Sequence, residues 1–350
     1  MADVKGEPPM TPASMQIRLR ARPSGAPRLD DFEVARVDVA APGPGEVLVR
    51  TLWLSLDPYM RGRMNDGPSY ARPVDLGEVM PGEVVGRVDA SAADGLAVGT
   101  LVRAPSGWQT HAVHPAAAVT PLPDLGVPPA THLGVLGMPG LTAYAGLTEL
   151  GRPRPGETLV VAAATGPVGS LAGQLAKRRG LRTVGIAGGA EKAGWLTETF
   201  GFDVGLDHRA VGFADALAAA CPDGVDIYVE LVGGHVLAAV RPLLNTHARM
   251  PVIGTVAHYN AATPPAGVDQ LPLFMREVLV KRLAVQGLIV WDYAHLRARF
   301  LDEVAPLVRS GEIRYLEDVV DGLDAAPAAF IGMLEGRNRG KLLVRVAADA

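Results

Sequence analysis

This sequence predicts an α/β chain of two domains: a mostly β domain over residues 1–135, completed by 310–350, and a doubly wound parallel-sheet domain over 136–309. One observation behind this is a change of texture, from short alternating runs broken by Gly and Pro to short apolar runs separated by helix-length periodicity. Another is the run 159–176, which reads as a buried strand, a glycine turn and a helix start in that order. The last is an isolated closing strand at 340–346, after the final helical pattern.

In chain order, the runs 46–54 and 83–88 alternate as half-buried strands do, and Gly/Pro punctuation makes residues 16–123 mostly β. Residues 158–163, 182–187, 225–230 and 249–254 are predicted parallel strands with helices between them. The segments 121–129 and 263–267 are surface connections, and 286–290 is a further strand. Residues 293–310 are helical, and the strand 340–346 is expected to return to the first sheet, which makes that domain discontinuous.

Bulk properties narrow the function. A net charge of −4 with no basic arm argues against nucleic acid, and no apolar run approaches the ~20 residues of a membrane span. Residues 1–12 are acidic and proline-rich without a hydrophobic stretch, so a secretory signal is not expected and the cytoplasm is. Cys221 is the single cysteine; it can form no internal disulfide, and four-cysteine zinc is excluded.

The glycine turn reads as a dinucleotide site. Gly166 allows a sharp exit from the strand, Gly169 lets backbone N–H groups approach a pyrophosphate, and Gly173 lets the helix pack closely. The helix N-terminus adds partial positive charge for the phosphates. Pro167 gives up one donor but suits the first helical position. At the end of the second strand an acid would grip the ribose of NAD. Here that end reads Gly185-Ile186-Ala187-Gly188-Gly189, and Lys192 follows at the next helix start, placed to meet a 2′-phosphate. His208 and Arg209, after the third strand, add positive charge, and the combination predicts NADPH. The plainer alternatives are a solvated Lys192 and an ordinary exposed turn at His208-Arg209.

Several motifs in order carry a resemblance: Leu54-Ser55-Leu56-Asp57-Pro58-Tyr59-Met60-Arg61, Gly137-Met138-Pro139-Gly140-Leu141-Thr142-Ala143-Tyr144, the glycine turn, Val232-Gly233-Gly234, and Leu334-Glu335-Gly336-Arg337-Asn338-Arg339-Gly340-Lys341. The chain resembles the zinc-free medium-chain dehydrogenase/reductases of the leukotriene B4 dehydrogenase, prostaglandin reductase and alkenal double-bond reductase group, curcumin reductase included. The resemblance implies a GroES-like β domain joined to a Rossmann domain, an active site in the cleft between them, and a homodimer. It further implies that Gly166, Pro167, Val168 and Gly169 hold the pyrophosphate, that Gly188, Lys192 and His208 surround the 2′-phosphate, and that Asn338 reaches the cofactor from the last segment. Ile253, Gly254, Thr255 and Tyr259 would run along the nicotinamide, with Leu288, Ile289 and Val290 beside it. The chain departs from the pattern at His208, often tyrosine in the group, and at Leu231, commonly asparagine, where one polar cofactor contact is expected to be missing or taken over by backbone.

Zinc alcohol dehydrogenases of the superfamily need histidine and cysteine ligands, and residues 80–86 lack the expected histidine, so no metal is expected. His111 and His114 should point to opposite faces of a strand. Without metal, hydride must go to an acceptor activated by hydrogen bonding, such as a conjugated carbonyl, with a donor aimed at the oxygen. The resemblance implies Tyr259 as that donor, to the enolate or to the ribose hydroxyl that touches it, and Tyr59 is the second candidate, for protonating the α-carbon or orienting the substrate; the plain alternative for either is packing with a satisfied hydroxyl. Arg61 and Arg63 are expected in structural ion pairs rather than on an acidic substrate. Met138 is a pocket floor or core residue, and Trp291 with Tyr293 lines the substrate mouth or a subunit contact. The predicted activity is NADPH-dependent reduction of the C=C bond of α,β-unsaturated aldehydes or ketones. A quinone reductase and a non-catalytic nucleotide-binding scaffold are the rivals.

Overall fold

The computed structural model describes residues 13–263 and 268–348, so the readings of 1–12 and of nearly all of 263–267 lie outside the described residues. The strands are β1 Ala13–Leu19, β2 Phe32–Asp38, β3 Glu46–Ser55, β4 Val84–Ser91, β5 Leu101–Ala104, β6 His111–Pro115, β7 Thr120–Pro121, β8 Thr158–Val161, β9 Arg182–Ala187, β10 Val204–Asp207, β11 Val225–Val229, β12 Leu244–Val252, β13 Ala284–Gly287, β14 Glu317–Asp321 and β15 Lys341–Arg345. The helices are α1 Tyr59–Arg63, α2 Met138–Ala145, α3 Pro167–Arg178, α4 Ala190–Glu198, α5 Phe213–Ala220, α6 Gly234–Val240, α7 Leu271–Lys281, α8 Arg297–Arg309 and α9 Ala326–Leu334.

The six strands β8 to β13 form one parallel sheet in the order β10-β9-β8-β11-β12-β13. Chain order therefore reverses between β8 and β11, which is where a doubly wound sheet opens a crevice at its carboxyl edge. β8 is buried throughout because both faces are covered: Leu159 and Val161 join a core with α2, α3 and α8, and Val160 joins one with α5 and α6.

The other large sheet runs β14-β15-β3-β4-β5-β7, with β6 also paired to β3. The closing strand β15 lies antiparallel to β3, with Leu343 opposite Ser55, so the chain's last strand completes the sheet begun by its first hundred residues. Phe32, Trp108 and Phe330 of α9 stack and meet edge-on at 5.5–6.4 Å in its core. We propose the division 1–135 plus 310–350 and 136–309. Near the second boundary Ile313 still packs with the parallel-sheet core and Leu323 with the β core, so the change of core comes a few residues after 310.

Several element limits differ from expectation, among them that β12 begins at Leu244 rather than 249. β8 stops at Val161 because Ala163 takes a left-handed φ of 46°. The strand expected at 286–290 ends at Gly287, and the helix expected from 293 begins as a 3₁₀ stretch, Val290–Leu296, with a kink at Tyr293 before α8.

Candidate active site

Every cofactor-binding candidate but Asn338 follows directly on the carboxyl end of a parallel strand. The glycine turn follows β8, Gly188 and Lys192 follow β9, His208 follows β10, Ile253 to Tyr259 follow β12, and Leu288, Ile289 and Val290 follow β13.

In the glycine turn the roles are redistributed. Gly166 caps α3 with an ordinary φ of −72°, and the sharp exit is made by Ala163. Gly169 is the close-packing residue: a Cβ there would stand 2.7 Å from both Ala163 O and Ala164 Cα. Gly173 makes room for the Phe202 ring, which a Cβ would overlap. Ser170 N–H bonds back to Gly166 O, and the first-turn N–H groups of Val168 and Gly169 have no partner within the helix. Those two are the donors that a pyrophosphate would take.

At the end of β9, Gly188 lies under two basic side chains. A Cβ there would meet His208 Nε2 at 3.0 Å and Arg209 Nε at 3.2 Å. Lys192 Nζ donates to Gly336 O at 2.7 Å, which ties the segment after α9 to the start of α4. Burial lowers the Lys192 pKa, and the Arg209 and Arg339 charges act in the same direction. Asp207, the acid at the end of β10, is turned onto backbone, accepting from Gly189 N at 2.7 Å and Arg209 N at 2.9 Å. The glycine cradle and its cationic rim fit a phosphate on the adenosine ribose.

Sequence reasoning missed Glu230. It is 1% exposed, accepts from Val232 N at 2.5 Å and Gly233 N at 2.8 Å, and receives the Tyr228 hydroxyl at 3.1 Å. Burial raises its pKa, and those two N–H groups oppose the rise. Glu230 therefore braces the turn into α6 by engaging the Val232 and Gly233 N–H groups. Leu231 packs its side chain between the two cores and offers its carbonyl to Val256 N at 3.3 Å. The signal was available as an acid ending a buried strand just before a glycine pair.

After β12, Glu230 O accepts from Ile253 N and Gly254 N, while Ile253 and Leu288 side chains turn inward onto Gly146. Gly254 is left bare beneath the Tyr259 hydroxyl, whose oxygen would lie 3.2 Å from a Cβ there. Burial raises the Tyr259 pKa. Asn338 donates to Gly340 O at 2.7 Å, so its amide is engaged within its own segment.

The β domain supplies the opposite wall. Tyr59 starts α1, and Tyr70 and Tyr259 lie within electrostatic reach in a series: Tyr259 acts on Tyr70, and Tyr70 on Tyr59. Tyr70, which sequence reasoning did not single out, thus lies between the two candidate tyrosines in electrostatic reach. Tyr70 meets Trp291 edge-on at 5.7 Å, joining the two domains across the mouth. Arg61 corrects an expectation. It is 2% exposed and, instead of an ion pair, donates to Asn260 Oδ1 at 3.2 Å, Asn65 Oδ1 at 2.7 Å and Gly25 O at 2.8 Å. It clamps α1 to the loop that carries Tyr259. Arg63 Nε is buried without a hydrogen-bond partner.

Among the described residues, no group of three or more His, Cys, Asp or Glu side chains is placed to hold a metal ion. His111 lies 3.8 Å from Asp89, and His114 bonds Ser106 Oγ at 2.8 Å. Burial raises the Cys221 thiol to about 11, which leaves it unreactive.

Known proteins resemble this chain over almost its whole length. Residues 15–122 match a family model described as the N-terminal domain of oxidoreductase, and 167–305 match one described as zinc-binding dehydrogenase. The chain is 53% identical to the NADPH-dependent curcumin reductase of Escherichia coli (strain K12), over 95% of this chain and 96% of the relative. It is 37% identical to the NADP(+)-dependent 2-alkenal reductase of Nicotiana tabacum, over 96% and 98%. The crystal structure of CurA from Vibrio vulnificus in complex with NADPH superposes with a TM-score of 0.93 at 47% identity, covering 95% of this chain and 99% of that one.

Proposed function

The chain belongs to the zinc-free medium-chain dehydrogenase/reductase family of the curcumin and alkenal reductases and is an NADPH-dependent reductase, and on that premise we propose that it reduces the C=C bond of α,β-unsaturated aldehydes or ketones. The observation that carries this reading is the Tyr259 hydroxyl over bare Gly254, after the carboxyl end of β12, with burial raising the pKa of that phenol.

NADPH, when bound, supplies the hydride that adds to the β-carbon of the substrate. Negative charge then gathers on the carbonyl oxygen, where a positioned O–H donor stabilises it. With its pKa raised by burial, the Tyr259 phenol stays protonated through the neutral range and acts as that donor. Tyr59 orients the substrate from the other wall, and Tyr70 with Trp291 narrows the mouth. Lys192, Arg209 and His208 hold the 2′-phosphate, and the Val168 and Gly169 N–H groups take the pyrophosphate.

NADPH oxidation measured with a trans-2-alkenal, an enone and a quinone tests the reading, with the product examined for two hydrogens gained at the C=C bond. Turnover of enals or enones supports it. Turnover of quinones alone replaces it with the rival reductase, and NADPH bound but never oxidised replaces it with the scaffold.

The same family reading includes a homodimer, and one face fits it. β13 is the edge of the parallel sheet and all four of its residues are exposed; beside it α7 presents Leu271, Leu273, Met275, Leu279 and Val280 to solvent. Two copies joined edge to edge about a twofold axis would pair both β13 strands and cover both helices. Light scattering is expected to give the mass of two chains for the native protein and of one chain for Val285→Lys. A monomeric native protein would remove the proposal. Among the described residues no helix is long and apolar enough to cross a membrane. We place the protein in the cytoplasm, which cell fractionation checks.

A further inference from the structure

His235, the second residue of α6, has no part in the reaction as described. Its ring lies against that of His208, with centroids 5.0 Å apart. His235 Nε2 stands 3.0 Å from His208 Nδ1 and 3.3 Å from the His208 backbone oxygen. A carbonyl oxygen only accepts, so His235 Nε2 carries the hydrogen and His208 Nδ1 is its acceptor. Neutral His208 then keeps its own hydrogen on Nε2, the atom facing Gly188 at the end of β9.

We propose that the His208–His235 pair takes up a proton when a 2′-phosphate binds beside Lys192 and Arg209, so that the preference for NADPH over NADH strengthens as pH falls. This rests on the cofactor assignment above and adds His235 as a specificity-determining residue. The groups around the pair are Asp207 and Arg209 from the loop after β10, Lys192 from α4, Phe213 from α5, and His258, whose ring lies against Gly233 at the start of α6. Before binding, burial disfavours the imidazolium, His235 and Arg209 oppose it as well, and Asp207 favours it. Burial and these charges therefore push His208 toward its neutral form, and the tautomers leave His235 Nδ1 as the pair's vacant nitrogen. A phosphate carrying about two negative charges reverses that field. One proton passes from solvent to the pair, and His208 Nε2–H still faces the ligand.

The sign of the proton exchange separates this from a purely cationic site. A phosphate whose second pKa is about 6 loses any remaining proton when lysine and arginine grip it, so cations alone release protons. Titration calorimetry of NADPH and NADH at about pH 7, in two buffers of different ionisation enthalpy, reads the difference. For the wild type, NADPH is expected to take up roughly half a proton more than NADH, and its Kd to tighten several-fold between about pH 8 and 6.5. His235→Asn is expected to abolish the extra uptake and flatten the pH dependence for NADPH, with NADH binding unchanged. Proton release or no net exchange in the wild type overturns the proposal, as does full uptake in His235→Asn. NADPH binding no tighter than NADH would instead overturn the cofactor assignment.

Discussion

Tyr259→Phe is expected to lower kcat/KM for an enone about 10²–10³-fold, with NADPH still bound, because it removes one donor from the oxygen where charge develops. The loss should fall mainly on kcat, since the hydrogen bond strengthens only as the enolate forms. Tyr59→Phe offers the contrast. Burial holds the Tyr59 phenol well above its ordinary range, and the charges of Asp57 and Glu83 raise it further. A group in that negative field is poorly suited to stabilise an oxyanion, so Tyr59→Phe should cost less than about tenfold and act on KM. Steady-state kinetics on both variants with one enone decides the ranking. Full kcat/KM in Tyr259→Phe would remove Tyr259 from the mechanism, and a larger loss in Tyr59→Phe would exchange the two roles.

What was legible in the sequence followed from local rules. Strand, glycine turn and helix stand next to one another along the chain, so 159–176 could be placed without knowing any distant contact. The neutral end of β9 and Lys192 are likewise adjacent, and the structure sets both at the carboxyl edge of the sheet. What was not legible depends on partners far apart in the chain. Arg61 was expected in an ion pair and instead bridges to Asn260, 199 residues away. Tyr70 matters because Trp291 comes to meet it across the cleft. Ala163 takes the left-handed backbone that glycine would usually supply, and residue type alone gives no sign of it. Glu230 lay within reach of local reasoning, as an acid ending a buried strand just before a glycine pair.

Lys341→Met is expected to destabilise the fold by about 3–5 kcal/mol, because it leaves a buried carboxylate without its cation. Lys341 and Asp57 side chains are only 3% and 8% exposed, and Lys341 Nζ donates to Asp57 Oδ1 and Leu56 O, both at 2.7 Å. Ser55 Oγ donates to Asp57 Oδ2. The methionine fills similar space but restores neither hydrogen bond, and Asp57 keeps only its serine partner. Adding Asp57→Asn removes the charge itself, so the double variant should recover much of the loss, with the two changes far from additive. Denaturant unfolding of the two single variants and the double measures this coupling. The effect should extend to the site, since Asp57 O accepts from Met60 N at 3.1 Å and so shapes the turn that begins α1 at Tyr59. A fully folded Lys341→Met protein should therefore show a raised KM for the enone before any change in NADPH affinity. Wild-type stability in Lys341→Met, or a double variant no better than the single, would show that this pair is not what secures the β-domain wall of the cleft.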